Sequence, residues 1–481
     1  MYQFSGKIKT FSLTLITIGF LATGWSFYNG LNKTSADAKA ALAAEQHGDH
    51  GNTAKNHDNS SAKQETHHND TNEQNAGEKH RASHNHHDTG HSEEEKITHK
   101  LHQMHNRPWA ALYVSLLFFL GITLLVLAFY AAQRVAQSGW SIVLFRVMEA
   151  ITANLVPTSI IMLIVIVLTG MHFNHLFTWM SDGVFDKSSQ NFDPIVYGKK
   201  LWLNTPGWIV RGIFYLLVWN FYRWFIRKNS IAEDTATDIK IFKKNYNASV
   251  IFLVFFMFTE SMASWDWIMA LDPHWFSTLF GWYVLATLLV SALTTIAFVT
   301  IYLRSKGYLP KVNDSHIHDL AKFMFGFSVF WTYLWFAQFM LIWYADIPEE
   351  TTYFVLRFSE YKTLFLSMLV MNFVFPILLL LNSDFKSQPW FVLIGGTVIL
   401  IGHYVDLFVM IMPGTVGGSW SFGIPELGAA LFFLGIFIYT VFSAFAKVNP
   451  VPIGNPFLKE SEHFHYYNIE HHSSTGENNH H

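Results

Sequence analysis

Cysteine is absent from this chain of 481 residues. Its absence excludes disulfide bonds, zinc sites with thiolate ligands, and iron–sulfur clusters or c-type haem held by the chain itself. Any such centre with which the chain works must therefore be bound by a partner protein.

Charged residues are also scarce, at 14% of the chain, whereas an ordinary soluble domain carries about 25%. Hydrophobic residues make up 51% and aromatic residues 17%. The net charge of −3 and the lack of a basic region give no indication of a nucleic-acid partner. This composition predicts an all-α polytopic membrane protein.

Apolar stretches of membrane-spanning length recur along the chain. A helix of about 20 apolar residues crosses the ~30 Å hydrocarbon core of a bilayer. We predict about ten transmembrane helices, at roughly 10–28, 108–132, 155–180, 207–226, 248–271, 276–303, 322–345, 353–381, 390–412 and 427–446. Pro157 and Pro376 fall within two of these spans, where carbonyls that lose their helical partner need another one inside the bundle.

The first apolar stretch follows Lys7 and Lys9. A signal peptide has this pattern, and Ala38-Lys39-Ala40 is a weak match to a cleavage site. Because that site lies well beyond the apolar run, we expect residues 1–31 to form an uncleaved membrane anchor.

Residues 32–106 are polar and low in complexity, and more than half of the chain's 25 histidines lie between His47 and His105. Such a segment buries too little apolar surface to offset its ordering entropy, so we predict that it is disordered. Histidine-rich tracts can bind Zn, Cu or Ni. No fixed ligand spacing stands out here, which favours a solvated tether over a metal site.

Lysine and arginine are concentrated in alternate loops of the ten-span arrangement. The richer loops contain Arg134 and Arg146; Arg223, Arg227, Lys228, Lys240, Lys243 and Lys244; Arg304, Lys306, Lys311 and Lys322; and Lys386. The positive-inside rule then predicts a multi-pass protein of the bacterial inner membrane with both termini in the cytoplasm. The histidine-rich segment and the turn at 272–275 would face the periplasm.

The stretch from Glu260 to Thr278 closes one long apolar segment and opens the next. Asp272-Pro273 breaks the helix, because proline lacks an N–H group and restricts the residue before it. Trp265, Trp267 and Trp275 are typical of an interfacial aromatic belt. We therefore predict a tight turn at one membrane face, carrying groups that can exchange protons.

Glu260 lies within the span that ends near 271. A carboxyl buried in a bundle is able to carry a proton at neutral pH, which suggests a functional group. The alternative is a carboxyl bonded to a neighbouring hydroxyl or Trp N–H, and both descriptions can hold together.

Asp272 and His274 flank the proline of the turn. A carboxylate and an imidazole could each accept one proton from a quinol as its ring is oxidised. Asp-Pro is also a routine turn initiator, so helix capping and turn chemistry explain the pair equally well.

His403 and Asp406 are three residues apart, which places them on one helical face within a span. An imidazole and a carboxylate in mid-membrane suggest a proton relay, although a structural pair between helices is the alternative. The neighbouring Gly402 permits close approach by another helix or a ligand.

Other charged residues have ordinary explanations. Arg146 and Glu149 are three residues apart and predict an interfacial ion pair. Arg211 lies just inside a span, from which its side chain could extend outward. Arg357 follows the acidic segment 346–350 and could pair with it.

Two long motifs resemble those of a known family. Trp265-Asp-Trp-Ile-Met-Ala-Leu-Asp-Pro-His-Trp-Phe-Ser-Thr278 followed by Gly281-Trp-Tyr283 resembles the signature of the large membrane subunits of bacterial alternative complex III. Trp335-Phe-Ala-Gln-Phe-Met-Leu-Ile-Trp-Tyr-Ala-Asp-Ile-Pro-Glu-Glu350 is a second stretch of that kind. These subunits belong to the polysulfide-reductase-like (NrfD-type) integral membrane family, and the similarity covers roughly 108–446. The chain resembles the second of the two subunits, the ActF type.

The resemblance implies an architecture of two four-helix bundles, formed here by spans two to five and six to nine, with the first and tenth spans outside them. Six segments follow from this: an anchor at 1–31, the histidine-rich segment at 32–106, bundles at 107–271 and 272–412, the last helix at 413–446 and a cytoplasmic tail at 447–481.

The resemblance also implies a function. The complex is a respiratory quinol:cytochrome c oxidoreductase, with partner subunits that carry haem c and iron–sulfur clusters, a first NrfD-like membrane subunit and in some cases a terminal oxidase. This chain would bind no cofactor itself. The family places the quinol site in the first membrane subunit, which weakens the prediction for Asp272 and His274. The proton-path candidates are then Glu260, Asp266, His403 and Asp406.

Two other functions are consistent with the same residues. A secondary transporter for a metal or another small ion would also have repeated bundles and buried charges. A purely structural subunit would anchor the complex and conduct nothing.

Overall fold

The computed structural model describes residues 2–43, 93–236 and 238–465, and every regular element in these ranges is helical. Most of the histidine-rich segment and the end of the tail lie outside the described residues, so the predictions made for those parts stay predictions. Residues 93–106, for which disorder was predicted, are described and form the beginning of the helix Glu93–Val135. The α-helices of the first half are α1 (Gly6–Leu31), α2 (Glu93–Val135), α3 (Phe145–Ile151), α4 (Leu155–Gly170), α5 (Pro194–Gly198), α6 (Thr205–Glu233) and α7 (Lys240–Trp267). Those that follow are α8 (Phe280–Ser305), α9 (Asp314–Ala345), α10 (Pro348–Glu360), α11 (Lys362–Leu369), α12 (Phe375–Leu380), α13 (Ser383–Ser387), α14 (Pro389–Val416), α15 (Ile424–Phe445) and α16 (Leu458–Glu462).

Nine helical segments of the described ranges are long and apolar enough to cross a membrane. The chain is therefore an all-α polytopic membrane protein, as predicted. The remaining predicted span, 207–226, is not among these nine and lies in α6, which has 29 residues. Arg211, Asn220 and Arg223 lower its apolar character below that of the other nine.

Two predicted spans have different bounds. The span predicted at 155–180 ends at Gly170, because the chain turns there and His172 adopts a positive φ of 60°. The span predicted at 353–381 is divided at Tyr361. Before it, α10 is a separate amphipathic helix with Glu349 and Glu350 in its first turn, and only the second part has the character of a span.

The helices pack in two groups of four. Helices α2, α4, α6 and α7 form the first bundle, and α8, α9, α14 and the broken helix α11–α12 form the second. Helices α1 and α15 pair outside both bundles and contact α2. Small residues permit this pairing: a Cβ atom on Gly19 would lie 2.3 Å from the backbone nitrogen of Phe432.

The second bundle contains one irregular turn. Val370–Val374 forms a π-helical turn between α11 and α12. Proline at position 376 lacks an N–H group and cannot bond the carbonyl of Asn372, so a regular α-helical ladder is interrupted here. The N–H of Phe375 instead donates to the carbonyl of Val370.

Candidate functional site

Glu260 is placed by α7 at the contact between the two bundles. Its side chain is buried, with 4% relative exposure, and within the described part of the chain its Oε2 atom has no hydrogen-bond partner. The carboxyl borders a cavity of about 40 Å³. Apolar side chains from both bundles line it, including Leu120, Leu288 and Leu407. Because one water needs roughly 10–15 Å³ by this measure, the cavity has room for about three waters.

Asp266, one and a half turns further along α7, has a different environment. Arg211 donates two hydrogen bonds to its carboxylate, each of 2.8 Å, and Tyr215 donates a third at 2.9 Å. The indole of Trp208 bonds the carbonyl of the same residue. The guanidinium of Arg211 thus holds a buried carboxylate, which corrects the expectation that its side chain extends outward. This geometry favours a fixed charge over a group that exchanges protons.

Asp406 lies in the core of the second bundle and receives its hydrogen bonds from neutral donors. Tyr283 donates a short bond to Oδ1, while Thr287 and Trp331 donate to Oδ2 at 2.8 and 2.9 Å. His403 lies on the same face of α14, as predicted, with Nδ1 3.8 Å from Oδ2. At that distance the two side chains are neighbours but not hydrogen-bonded.

Arg357 continues this polar region toward the end of the bundle that holds the Asp272 turn. Its side chain is 4% exposed and lies over the ring of Tyr353, with 3.3 Å from the guanidinium carbon to the ring centroid. It donates to the carbonyl of Tyr353 at 2.8 Å and to that of Met410 at 3.4 Å. Its partners are thus backbone carbonyls and not the predicted segment 346–350, in which Asp346 and Glu349 are exposed and Glu350 is half-buried.

Asp272 lies between two cavities. One of about 30 Å³ is shared with Tyr353, Arg357 and Gly414 inside the second bundle. The other is an open cleft of about 280 Å³ whose lining residues are mainly aromatic and apolar: Lys199, Trp202, Leu203, Trp265, Met269, Ala270, Asp272, Pro273, Trp275 and Phe276. Lys199 closes one side of this cleft by donating to the carbonyl of Pro273 at 2.6 Å.

His274 does not line that cleft. Its side chain is 54% exposed, and Nε2 contacts Oδ2 of Asp193. The Asp193 carboxylate also accepts hydrogen bonds from the amides of Ile195 and Val196 at the start of α5. Partial burial opposes ionisation of this carboxyl, but the Val196 amide and the imidazole outweigh it and hold the pKa of Asp193 below its usual range. The structure therefore separates the two predicted quinol-binding residues.

A buried ionic network lies at the opposite end of the first bundle. Arg146 and Glu149 are 0% and 2% exposed, so the predicted interfacial pair is instead fully buried. Glu149 also accepts from Tyr130 at 2.7 Å and from Arg227. The remaining members of the network are Arg134, Ser230, Glu233, Asp234 and Asn245.

From the sequence, only Arg146 was paired with a member of this network, Glu149, whereas Arg134 and Arg227 served only as topology signals. Tyr130 and Arg134 are four residues apart, and Arg134 donates to the Tyr130 hydroxyl at 2.7 Å. This spacing is a further local sequence signal that points to a polar contact within the network. The other partners are far apart in sequence, so no spacing pattern connects them.

A ladder of hydroxyl groups follows α8 from Asp406 toward the interior of the bundle. Thr287, Ser291 and Thr295 are fully or nearly buried and four residues apart. Ser291 and Thr295 each donate to the carbonyl one turn earlier, and the hydroxyl of Thr287, which donates to Asp406, lies 3.1 Å from the carbonyl of Tyr283. Such bonds are common for Ser and Thr in helices. Here they keep polar atoms at regular intervals in an otherwise apolar core.

In the described ranges, no group of three or more His, Cys, Asp or Glu side chains is arranged to hold a metal ion. The sequence matches no protein-family model, and no curated protein matches it significantly.

Proposed function

We propose that this chain is an integral membrane subunit of a respiratory quinol:cytochrome c oxidoreductase of the alternative complex III type, and that it provides part of a transmembrane proton path. Glu260 carries the proposal: a buried carboxyl without a hydrogen-bond partner in the described ranges, next to a water-sized cavity between two bundles. A charged carboxylate is costly in such a place, so the group is suited to take up and release a proton.

Polar groups continue from the bundle contact toward the Asp272 turn. Asp406 is flanked by Tyr283 and is one turn from Met410, whose carbonyl accepts from Arg357. Arg357 and Asp272 line the same small cavity. Leu407, the neighbour of Asp406 in sequence, lines the Glu260 cavity.

Polar groups also continue from Glu260 in the opposite direction, through the first bundle. Trp219 donates to Thr259, the neighbour of Glu260, at 3.0 Å. Further along, Tyr222 and Ser249 are hydrogen-bonded at 2.8 Å, and Asn245 donates to Glu233 of the buried network at 3.0 Å. Taken together, the two polar series run toward opposite ends of the bundles. Trp219 of one series lines the Glu260 cavity, and so does Leu407, the neighbour of Asp406 in the other.

The proposed partners follow from the resemblance and from composition. The motifs at 265–283 and 335–350 resemble those of the ActF-type subunit, and a chain without cysteine needs partners for its redox chemistry. Those partners are the first NrfD-like membrane subunit, an iron–sulfur subunit and c-type cytochromes. We place the complex in the bacterial inner membrane, with both termini of this chain in the cytoplasm.

The outer cleft favours a second, related role for Asp272. Its volume of about 280 Å³, its aromatic lining and its Lys199 and Asp272 side chains suit a planar ring with polar oxygens, such as a quinol headgroup. His274 contributes nothing to this cleft. A photoreactive quinone that labels Trp265 or Trp275 would support the role, and labelling confined to a partner subunit would exclude it.

The proton path is tested by replacing Glu260 with Gln in the purified complex, reconstituted in vesicles with a pH-sensitive dye inside. We expect proton translocation per electron to fall by about tenfold or more, since the amide cannot carry a proton. Glu260→Asp should retain part of the activity. Glu349→Gln, at an exposed position of α10, is the matched control and should change nothing.

Full translocation in Glu260→Gln, with normal assembly, would favour the scaffold function instead. A chain that purifies without partners and moves an ion across vesicles by itself would favour a transporter.

A further inference from the structure

Two fully buried side chains of the second bundle present four polar atoms with no hydrogen-bond partner among the described residues. They are Nδ1 and Nε2 of His403 and Oδ1 and Nδ2 of Asn372, and both residues are 0% exposed. His403 is at the middle of the 28-residue helix α14. Buried polar groups in proteins are nearly always paired, so this cluster requires an explanation.

The two side chains belong to one small region. A Cβ atom on Gly402 would lie only 2.0 Å from Oδ1 of Asn372, so the amide rests against α14 directly before His403. On its other sides, the imidazole contacts the edge of Trp331 at 5.4 Å between ring centroids and lies 3.8 Å from Asp406.

The backbone around Asn372 is also irregular. It lies in the π-helical turn Val370–Val374, which precedes Pro376. A π turn widens the helix by one residue and often occurs at functional sites. Helix α14 could approach this turn only because residue 402 is glycine. A polar side chain, an irregular turn and a glycine contact therefore coincide at mid-membrane.

Water can supply the hydrogen bonds that these atoms lack. An asparagine amide offers two donors and two acceptor lone pairs, and a neutral imidazole offers one donor and one acceptor. A buried water typically makes about three hydrogen bonds. One or two waters between Asn372 and His403 would satisfy both side chains and leave a further hydrogen bond for Asp406.

We propose that Asn372 and His403 bind ordered water inside the second bundle, beside the π turn. Asn372 positions the water and His403 exchanges protons with it, next to Asp406. The role in proton transfer rests on the proposed function, whereas the presence of the water does not.

The water is tested by infrared difference spectroscopy of the purified complex in H₂¹⁶O and H₂¹⁸O, with wild type and Asn372→Leu compared. We expect an isotope-sensitive band of weakly bonded water in the wild type, its loss in Asn372→Leu, and its partial return in Asn372→Gln. Asn106→Leu is the matched control: Asn106 is buried, its Nδ2 donates to the carbonyl of His175 at 2.9 Å and its Oδ1 accepts from the amide of His175 at 3.1 Å, so its replacement should leave the band unchanged.

A wild-type protein without such a band, or a band that persists in Asn372→Leu, would overturn the proposal. The same holds if Asn372→Leu alone fails to assemble and His403→Phe, as a second variant, retains the band. If the band is lost while Glu260→Gln still translocates protons, the water site stands and the proton path fails. If the water site and the proton path are both confirmed, Asn372→Leu should slow proton translocation by about tenfold.

Discussion

Three buried carboxyl groups show how surroundings assign different chemistry to the same functional group. Asp266 accepts hydrogen bonds from a guanidinium, Asp406 from a phenol, a hydroxyl and an indole, and Glu260 borders apolar walls. A neighbouring cation strongly stabilises the charged form of a carboxyl group, neutral hydrogen-bond donors stabilise that form less, and apolar surroundings destabilise it. Glu260 and Asp406, which have no cation beside them, therefore stay candidates for the proposed proton path, and Asp266 is the weakest candidate of the three.

The ion pair of Asp266 and Arg211 is expected to be structural. Asp266→Asn leaves a partly buried guanidinium without its counter-charge, so we expect a loss of about 3 kcal/mol of stability and a lower melting temperature in detergent. The paired replacement Asp266→Leu with Arg211→Leu should recover part of that loss. Asp266→Asn with an unchanged melting temperature and abolished proton translocation would instead support its place among the proton-path residues.

The contact between Asp193 and His274 predicts a pH dependence outside the membrane. The pKa of Asp193 is lower in the folded protein, because the Val196 amide and the imidazole outweigh partial burial. The ionised carboxylate therefore stabilises the folded protein fully above the ordinary carboxyl pKa of about 3.9. This contribution is lost as the pH falls through the lower pKa that Asp193 has in the folded protein.

We expect the loop around 182–198 to become more open to a protease active in acid, such as pepsin, below about pH 4. In the Asp193→Asn variant, the rate at which the protease cleaves this loop should no longer change across this range. A rate for the native chain that is constant down to pH 2 would contradict the prediction.

At this scale the sequence located the polar residues but not their partners. Glu260, Asp266 and Asp406 stand out because they interrupt apolar runs, and His403 is visible through its spacing from Asp406. Arg211 lies 55 positions from Asp266 and Thr287 lies 119 from Asp406. Contacts of that separation depend on how helices pack, which local spacing does not determine.

Helix ends depend on residues that apolar runs do not reveal. The runs predicted the spans themselves, because a bilayer sets a narrow range of lengths. The end of α4 at Gly170 and the separate helix α10 were missed, since the first depends on a positive φ at His172 and the second on an amphipathic pattern next to a span. Pro376 correctly indicated a disturbed helix, which is the π turn.

The pairing of α1 with α15 depends on glycine. A Cβ atom on Gly19 would lie 2.3 Å from the backbone of α15, so Gly19→Leu should push the helices apart. Gly24→Leu is the matched control, because nothing lies within 4 Å of its Cβ position. The native chain has no cysteine, so Ser12→Cys, at a buried position of α1, gives a single site for a maleimide probe.

We expect labelling of that cysteine to be slow with Gly19 present and at least fivefold faster with Gly19→Leu, because separation of α1 exposes position 12. With Gly24→Leu the rate should not change. Equal rates for the two leucine variants would show that α1 is held by something other than this glycine contact.

At the scale of the whole molecule, the two bundles leave their polar groups facing a shared interior and their outer faces apolar. Side chains on the outer faces of α6 and α7, such as Leu217, Phe221 and Phe258, are more than half exposed. Faces of this kind contact lipid or another membrane subunit. A chain without cysteine cannot itself hold c-type haem or iron–sulfur clusters on thiolate ligands, so electron transfer through such centres would have to come from a partner.

Purification in mild detergent through a tag on the tail tests this dependence directly. We expect several stoichiometric partners identified by mass spectrometry, including an iron–sulfur protein, and a reduced spectrum with haem c absorbance. The spectrum must come from partners, because a chain without cysteine cannot bind haem c covalently. A colourless protein that purifies alone and remains folded would exclude the respiratory complex, and Glu260 would then have to be tested as the site of a transporter that obtains its energy from an ion gradient.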